Sequence, residues 1–170
     1  MSFLPFGKSF GLRSARGTVS SAKRTRLLDT PVAEVWKVLE DPYQMPRWWP
    51  RVERMEGVQE DRFTQVFVSK RRRTVRADFR LLASEPPDAE YPSGHRTWSQ
   101  EVEGTPFERV LQESITEVLV ESVPEGTRVT LAQRQKLKGY TRVGALSMRG
   151  ATVKRLDEAL DGLARIVTGP

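Results

Sequence analysis

A chain of 170 residues with 28 Lys/Arg, 22 Asp/Glu and a formal net charge of +6 is long enough for one domain with a sizeable core. It contains no cysteine, which excludes disulfides, thiol nucleophiles and Cys-ligated metals and fits a reducing, cytoplasmic setting. No run approaches ~18 consecutive apolar residues, so no segment reads as a membrane span.

Residues 1–16 read as a flexible basic tail. The start, MSFLPFGKSFGLRSARG, lacks the apolar h-region of a secretory signal; its Ser- and Arg-rich, acid-free make-up has a weak likeness to a transit peptide. The remainder, 17–168, reads as a single domain. Thr18 to Leu28 is a first strand, polar enough to lie at a sheet edge. Thr30 is suited to cap a helix and Pro31 to begin it. Val32, Val35, Trp36 and Leu39 recur at helical spacing until Asp41-Pro42 stops them. Tyr43 to Trp48 forms a short second helix between prolines. Trp48 and Trp49 follow side by side, and one chain direction rarely buries both on one face.

Val52 to Val58 begins the next strand, and Glu60-Asp61 turns it. Phe63, Gln65, Phe67 and Ser69 alternate with Thr64, Val66 and Val68, and Arg71-Arg72-Arg73 closes the hairpin. Val75, Ala77, Phe79 and Leu81 alternate strictly with Thr74, Arg76, Asp78 and Arg80, the pattern of a half-buried strand. The outward arginines and Asp78 are placed for cross-strand ion pairs of at most about 1 kcal/mol each. His95 to Val102 is a strand with Trp98, Gln100 and Val102 on one face. Arg109 to Val123 is a long strand with Ser114, Thr116, Val118 and Val120 together. Pro124-Glu125-Gly126 is a tight hairpin signal, and Thr127 to Leu137 returns with Val129, Leu131, Gln133 and Gln135 on one face. From about Leu146 to Val167 the period becomes helical, through Leu146, Val153, Leu156, Leu160, Leu163 and Val167. Asp157, Glu158, Asp161, Lys154 and Arg155 fall opposite that stripe. A helix of about 20 residues spans ~30 Å, enough to cross a small sheet.

The order strand, T-P-x-x-x-V-W-x-x-L-x-D-P (Thr30 to Pro42), tryptophan-proline element, strand resembles the opening of the START-like SRPBCC superfamily, which includes birch-pollen-allergen-like proteins. Within it, the chain resembles the polyketide cyclase/dehydrase-like group over roughly residues 17–168. That resemblance implies an α+β helix-grip fold: a curved antiparallel sheet of roughly six to seven strands wrapped on a long C-terminal helix, with two short helices after strand one. It also implies a hydrophobic cavity between sheet and helix, with Phe63 and Phe67 pointing inward.

A curved sheet closed by one helix is either filled by large side chains or holds a ligand. The candidate ligand-binding residues are Trp48, Trp49, Phe63, Phe67, Phe79, Leu81, Trp98, Gln100, Val118 and Gln133. The polar members carry the most information, because a buried amide without a partner costs about 1–3 kcal/mol. No catalytic residue is assigned. His95 is the sole histidine and reads as an exposed turn residue, no metal or cofactor is called for, and there is no Ser-His-Asp spacing or Gly-rich phosphate loop. Tyr140 and Arg142 stand before the long helix, where they could gate or orient a ligand. Thr105-Pro106-Phe107 is the only short echo of the cyclase enzymes.

These features support binding of a small hydrophobic or amphipathic molecule: a lipid, a polyketide-like compound or, by likeness to coenzyme-Q-binding relatives, a quinone. A polyketide cyclase or dehydratase is the competing enzyme reading and requires a buried Arg, Tyr or carboxylate at the cavity. Charge placement supports a third. Residues 1–28 carry +6 and residues 70–80 carry +5, leaving −5 for the rest, so an anionic lipid surface is a candidate partner. The basic runs lack interleaved aromatics apart from Phe79, which argues against nucleic acid. The sequence sets no oligomeric state.

Overall fold

The computed structural model describes residues 17–69, 71–139 and 142–169. The chain runs through β1 (Thr18–Leu28), α1 (Val32–Glu40), a 3-10 turn (Pro42–Gln44) and α2 (Met45–Trp48). It continues through β2 (Val52–Glu56), β3 (Arg62–Val68), β4 (Thr74–Glu85), β5 (Ser93–Gln100), a second 3-10 turn (Pro106–Arg109), β6 (Leu111–Val123), β7 (Gly126–Leu137) and α3 (Arg142–Val167). Among the described residues these strands form one seven-stranded antiparallel sheet in the order β1-β7-β6-β5-β4-β3-β2. The polar first strand does lie at an edge, paired only with β7.

The boundaries shift where local chemistry differs from the pattern. Thr30 does not cap α1; Pro31 takes the N-cap position and no side chain caps the helix. Thr30 instead donates its hydroxyl to the Val167 carbonyl (3.3 Å) and accepts Thr127 Oγ1 on its own carbonyl (2.6 Å). It thereby ties the start of α1 to β7 and to the end of α3. Residues 106–109 form a 3-10 turn, so β6 begins at Leu111 rather than Arg109. β5 begins at Ser93 and stops at Gln100. Val102 lies beyond it in a small apolar cluster with Leu111, Leu137 and Ala145. Pro124 and Glu125 turn the β6–β7 hairpin as expected. Gly126 sits there at φ 129°, where a side chain would strike the Leu28 carbonyl.

On the outer sheet face the ion pairs differ from the expected set. Arg76 and Arg54 both reach Glu56, at 3.1 and 2.7 Å, and Arg80 reaches Glu101 at 3.5 Å. Asp78 accepts instead from Thr64 Oγ1 at 2.6 Å. Val66 pairs with Arg54 on one side and Arg76 on the other, and it is fully buried. The arginine stems on either side make that burial intelligible.

α3 lies over β1 and β7. Its buried stripe runs through Ala145, Thr152, Leu156, Ala159, Leu160 and Leu163. The helix starts four residues earlier than its apolar period indicates, and Leu146, expected in the stripe, is exposed. Two inward arginines of β1 hold its flank: Arg24 bonds Asp157 at 2.6 Å, and Arg26 bonds Asp161. On the other flank Gly162 meets the backbone of Trp48. A Cβ there would lie 2.6 Å from the Trp48 carbonyl oxygen, whereas one on Gly150 would meet nothing within 4 Å. Gly162→Ala is therefore expected to destabilise the fold by about 1–3 kcal/mol through overpacking. Gly150→Ala in the same helix should stabilise it by up to about 1 kcal/mol through helix propensity. Urea unfolding of the two variants measures this opposition of sign.

Candidate functional site

Trp48 ends α2 in helical conformation and Trp49 follows in extended conformation, at φ −85° and ψ 124°. The chain changes direction between the two residues, so both rings are buried, against the expectation that one would be left out. Their centroids lie 5.4 Å apart at 89°. Trp49 meets Trp98 edge-on at 6.1 Å, Trp98 meets Phe63 at 6.4 Å, and Phe63 stacks on Phe79 at 5.4 Å. Sequence neighbours, cross-strand partners and separate elements thus build one aromatic wall. Each such contact contributes about 0.5–1.5 kcal/mol beyond burial.

Beside this wall runs a polar stripe beneath α3. The sheet register puts Gln133 of β7 opposite Thr116 of β6 and Ala22 of β1, and puts Gln135 opposite Ser114 and Ser20. All three polar neighbours, Ala22 and both glutamines are buried. From α3, Arg155 Nη2 donates to Gln133 Oε1 at 2.7 Å, and Gln133 Nε2 donates onward to Thr116 Oγ1 at 3.2 Å. Thr152 Oγ1 donates to Gln135 Oε1 at 3.4 Å. Among the described residues, four buried side-chain atoms have no hydrogen-bond partner: Arg155 Nε, Ser20 Oγ, Trp36 Nε1 and Trp48 Nε1. Buried donors left so are costly and uncommon.

Two arginines enter the interior, with opposite roles. Arg96 of β5, 6 % exposed, donates from Nη1 to the Leu39 carbonyl at 2.8 Å. It caps the C-terminal end of α1, where a cation is favoured. Burial lowers its pKa, and the negative charges of Glu40 and Asp41 oppose that shift. Arg155 has no such compensation. Burial lowers its pKa and the nearby positive charge of Arg51 lowers it further. The acids of α3 are engaged elsewhere, Asp157 with Arg24, Asp161 with Arg26 and Glu158 with Lys154.

Of the candidate residues, Trp48, Trp49, Phe63, Phe79, Trp98 and Val118 join the main core, and Phe67 packs partly buried against it. Gln133 lies at the centre of the polar stripe; Gln100 and Leu81 are half-buried at the β4–β5 end. Arg155 was expected on the solvent face of its helix, but lies at the stripe's flank, one residue before Leu156, and bends inward. Gln133 facing a long cationic side chain is the signal that would have exposed it. His95 is a half-buried strand residue bonded to Thr97 Oγ1 at 2.9 Å, not an exposed turn residue. Tyr140, the side chain of Arg142, Lys70 and the tail 1–16 lie outside the described residues. In the basic hairpin Arg76 and Arg80 are already paired, while Arg71, Arg72 and Arg73 stand exposed at the tip. Two open grooves, of about 520 and about 230 Å³, are lined by Arg80, Leu82, residues 99–103, Gln112 and Glu113, and by residues around Phe63, Phe79 and Glu101. Neither lining includes α3.

A curved antiparallel sheet gripping one long helix over an aromatic and polar interior defines a helix-grip protein. The sequence matches the family model described as polyketide cyclase / dehydrase and lipid transport over residues 20–168, and the chain belongs to that family. This is the SRPBCC superfamily that the Thr30–Pro42 motif indicates. The crystal structure of the di-domain ARO/CYC StfQ from the steffimycin biosynthetic pathway is similar with a TM-score of 0.69 at 13% identity, covering 88% of this chain and 51% of that one. The chain therefore spans about half the length of that di-domain protein. Protein CV1439 from Chromobacterium violaceum gives a TM-score of 0.64 at 13% identity, with 89% and 99% of the two chains covered. Ara h 8.0201 gives 0.62 at 11%, covering 89% and 100%. At these identities the likeness is one of fold. No curated protein matches the sequence.

The Arg155–Gln133–Thr116 chain makes a stability prediction. Gln133→Leu removes the bonded acceptor of a buried guanidinium and should cost about 1–3 kcal/mol. Arg155→Met removes the charge but leaves the buried Gln133 Oε1 without its donor, and should also cost about 1–3 kcal/mol. The double variant should be more stable than Gln133→Leu alone, a non-additivity read from urea midpoints.

Proposed function

We propose that the protein binds one small amphipathic molecule, a lipid, quinone or polyketide-like compound, between the sheet and α3. The observation that carries this reading is the polar stripe with its unpartnered buried donors set beside an aromatic wall. A core that only had to be stable would place apolar groups at Ser20, Gln133 and Arg155, since buried polar networks gain little over apolar packing. Membership in a family described by polyketide cyclase, dehydrase and lipid transport activities supports the same reading. A ligand that buries about 300 Å² of apolar surface gains about 7 kcal/mol before the cost of association, enough for useful affinity without catalytic machinery.

A second reading, a cyclase or dehydratase acting on a polyketide-like substrate, is favoured by one observation: a half-buried arginine, Arg155, reaches inward from α3 to Gln133. A guanidinium there would stabilise an enolate oxygen developing in such a reaction. The binding reading requires fewer groups and stands first.

All four tryptophans are buried in or beside the proposed site. Titration with oleate, a ubiquinone analogue and a hydroxyanthraquinone should change tryptophan emission saturably for at least one compound, at equimolar stoichiometry. Emission unmoved by every compound, together with a clean apo mass and nothing recovered by organic extraction of the purified protein, would refute ligand binding. Mass change of a bound hydroxyanthraquinone precursor by loss of water would promote the enzyme reading.

A further inference from the structure

Taking ligand binding between sheet and α3 as given, we propose that Arg155 and Arg51 form an anion subsite that selects ligands bearing a carboxylate. The placement of Arg155 follows from helix geometry. It precedes Gly162 by seven residues, and positions so spaced differ by only about 20° around the helix. Gly162 faces the backbone of Trp48 in α2, so Arg155 lies on the same flank, toward the sheet interior and away from the flank held by Arg24 and Arg26. Its Nη2 is oriented by Gln133, which is itself held by its bond to Thr116. The Nε–H on the same edge of the guanidinium is buried with no partner. That edge is what a carboxylate engages with two parallel hydrogen bonds.

Arg51 adds a second charge. It follows Trp49 and Pro50 at the junction between α2 and β2, and holds φ 67° although it is not glycine. Left-handed conformation costs a residue of this kind strain, and such strain is usually retained where the backbone has to aim a side chain. Arg51 lies three residues beyond Trp48, whose backbone abuts α3 at Gly162 on the Arg155 flank, and its positive charge acts on Arg155; among the described residues neither has a carboxylate partner. Arg96, by contrast, has a helix end, and Arg54 and Arg76 share Glu56. A pair of cations without an acid, one of them desolvated, is electrostatically incomplete in the protein alone. A monoanionic head group completes it, with the ligand's apolar body along the Trp49–Trp98–Phe63 wall.

The test compares matched head groups on two scaffolds: oleate against oleyl alcohol, and anthraquinone-2-carboxylate against anthraquinone, each followed by tryptophan emission at neutral pH. The wild type should prefer the acid of at least one pair by tenfold or more. Arg155→Met should abolish that preference, lowering the affinity of the acid at least tenfold more than that of its neutral partner, and Arg155→Lys should restore part of it. Arg51→Gly, which relieves the positive φ, should lower the preference severalfold without loss of thermal stability. Equal binding of acid and neutral partner by the wild type overturns the anion subsite and leaves ligand binding standing. So does a preference for the acid that survives both Arg155→Met and Arg51→Gly. Absence of binding by all four compounds and by extracted lipids removes both.

Discussion

One helix has to close the inner face of a seven-stranded sheet, and it is too narrow to do so. Strands about 4.8 Å apart make a sheet about 29 Å wide, while a helix with its side chains is about 10–12 Å across. α3 settles over the β1–β7 edge, clamped there by Arg24 and Arg26 on one flank and by the Gly162–Trp48 contact on the other. The far half of the sheet needs a different cover. The four tryptophans and the pair Phe63–Phe79 provide it, three of the tryptophans delivered by the short α1–α2 excursion between the two edge strands. The sequence DTPVAEVWKVLEDPYQMPRWWPRV is therefore less a connection than the second half of the lid.

This division of labour separates apolar from polar burial. Where bulky rings cover the sheet, burial is mainly apolar, the Trp36 and Trp48 indole N–H groups excepted. Along the line where α3 meets β1 and β7, the polar residues are Ser20, Gln133, Gln135, Thr152 and Arg155, with Ser114 and Thr116 of β6 paired behind the glutamines. A network of this kind is as good as its least satisfied member, because low local polarity strengthens bonds that are made and penalises donors that are not. Arg155 is that member. Its position on the flank rather than the centre of the buried stripe allows the stem to run inward over apolar neighbours while the head meets Gln133.

Much of this was legible in residue order. Strict alternation in Val75–Leu81 and in Ser114–Val120 revealed which face each strand buries, and Pro124-Glu125-Gly126 marked the hairpin, because those signals arise within a few residues. The Thr30–Pro42 motif identified the family for the same reason. What the sequence did not reveal depends on contacts between distant segments. Thr30 looked like a helix cap, yet its hydroxyl is drawn to Val167 and its carbonyl to Thr127. Trp48 and Trp49 share one interior because the helix ends between them, a one-residue boundary that periodicity does not resolve. Arg155 read as a solvated cation among Lys154, Asp157 and Glu158. Only the register that brings Gln133 beneath α3, together with the capture of Asp157 by Arg24 across the sheet edge, shows that its charge is spent inward.

Fold and family coincide over nearly the whole described chain, so they do not by themselves distinguish one ligand from another. Proteins similar at 11–13% identity share this fold while most of their residues differ. Specificity then resides in the few interior positions where this chain departs from what stability alone would select. Arg96 is not one of them, since a helix end and two acids account for it. The orphaned Trp36 and Trp48 indole donors and Ser20 hydroxyl mark the same interior, but each is a neutral donor that many polar groups would satisfy. Arg155 is the group whose demand is specific: a planar cation, oriented through Gln133 by Thr116, repelled by Arg51 and unmatched by any acid of its own helix. On the proposed binding reading, the shape of such an interior is set by hydrophobic packing and its chemical preference by one unbalanced charge.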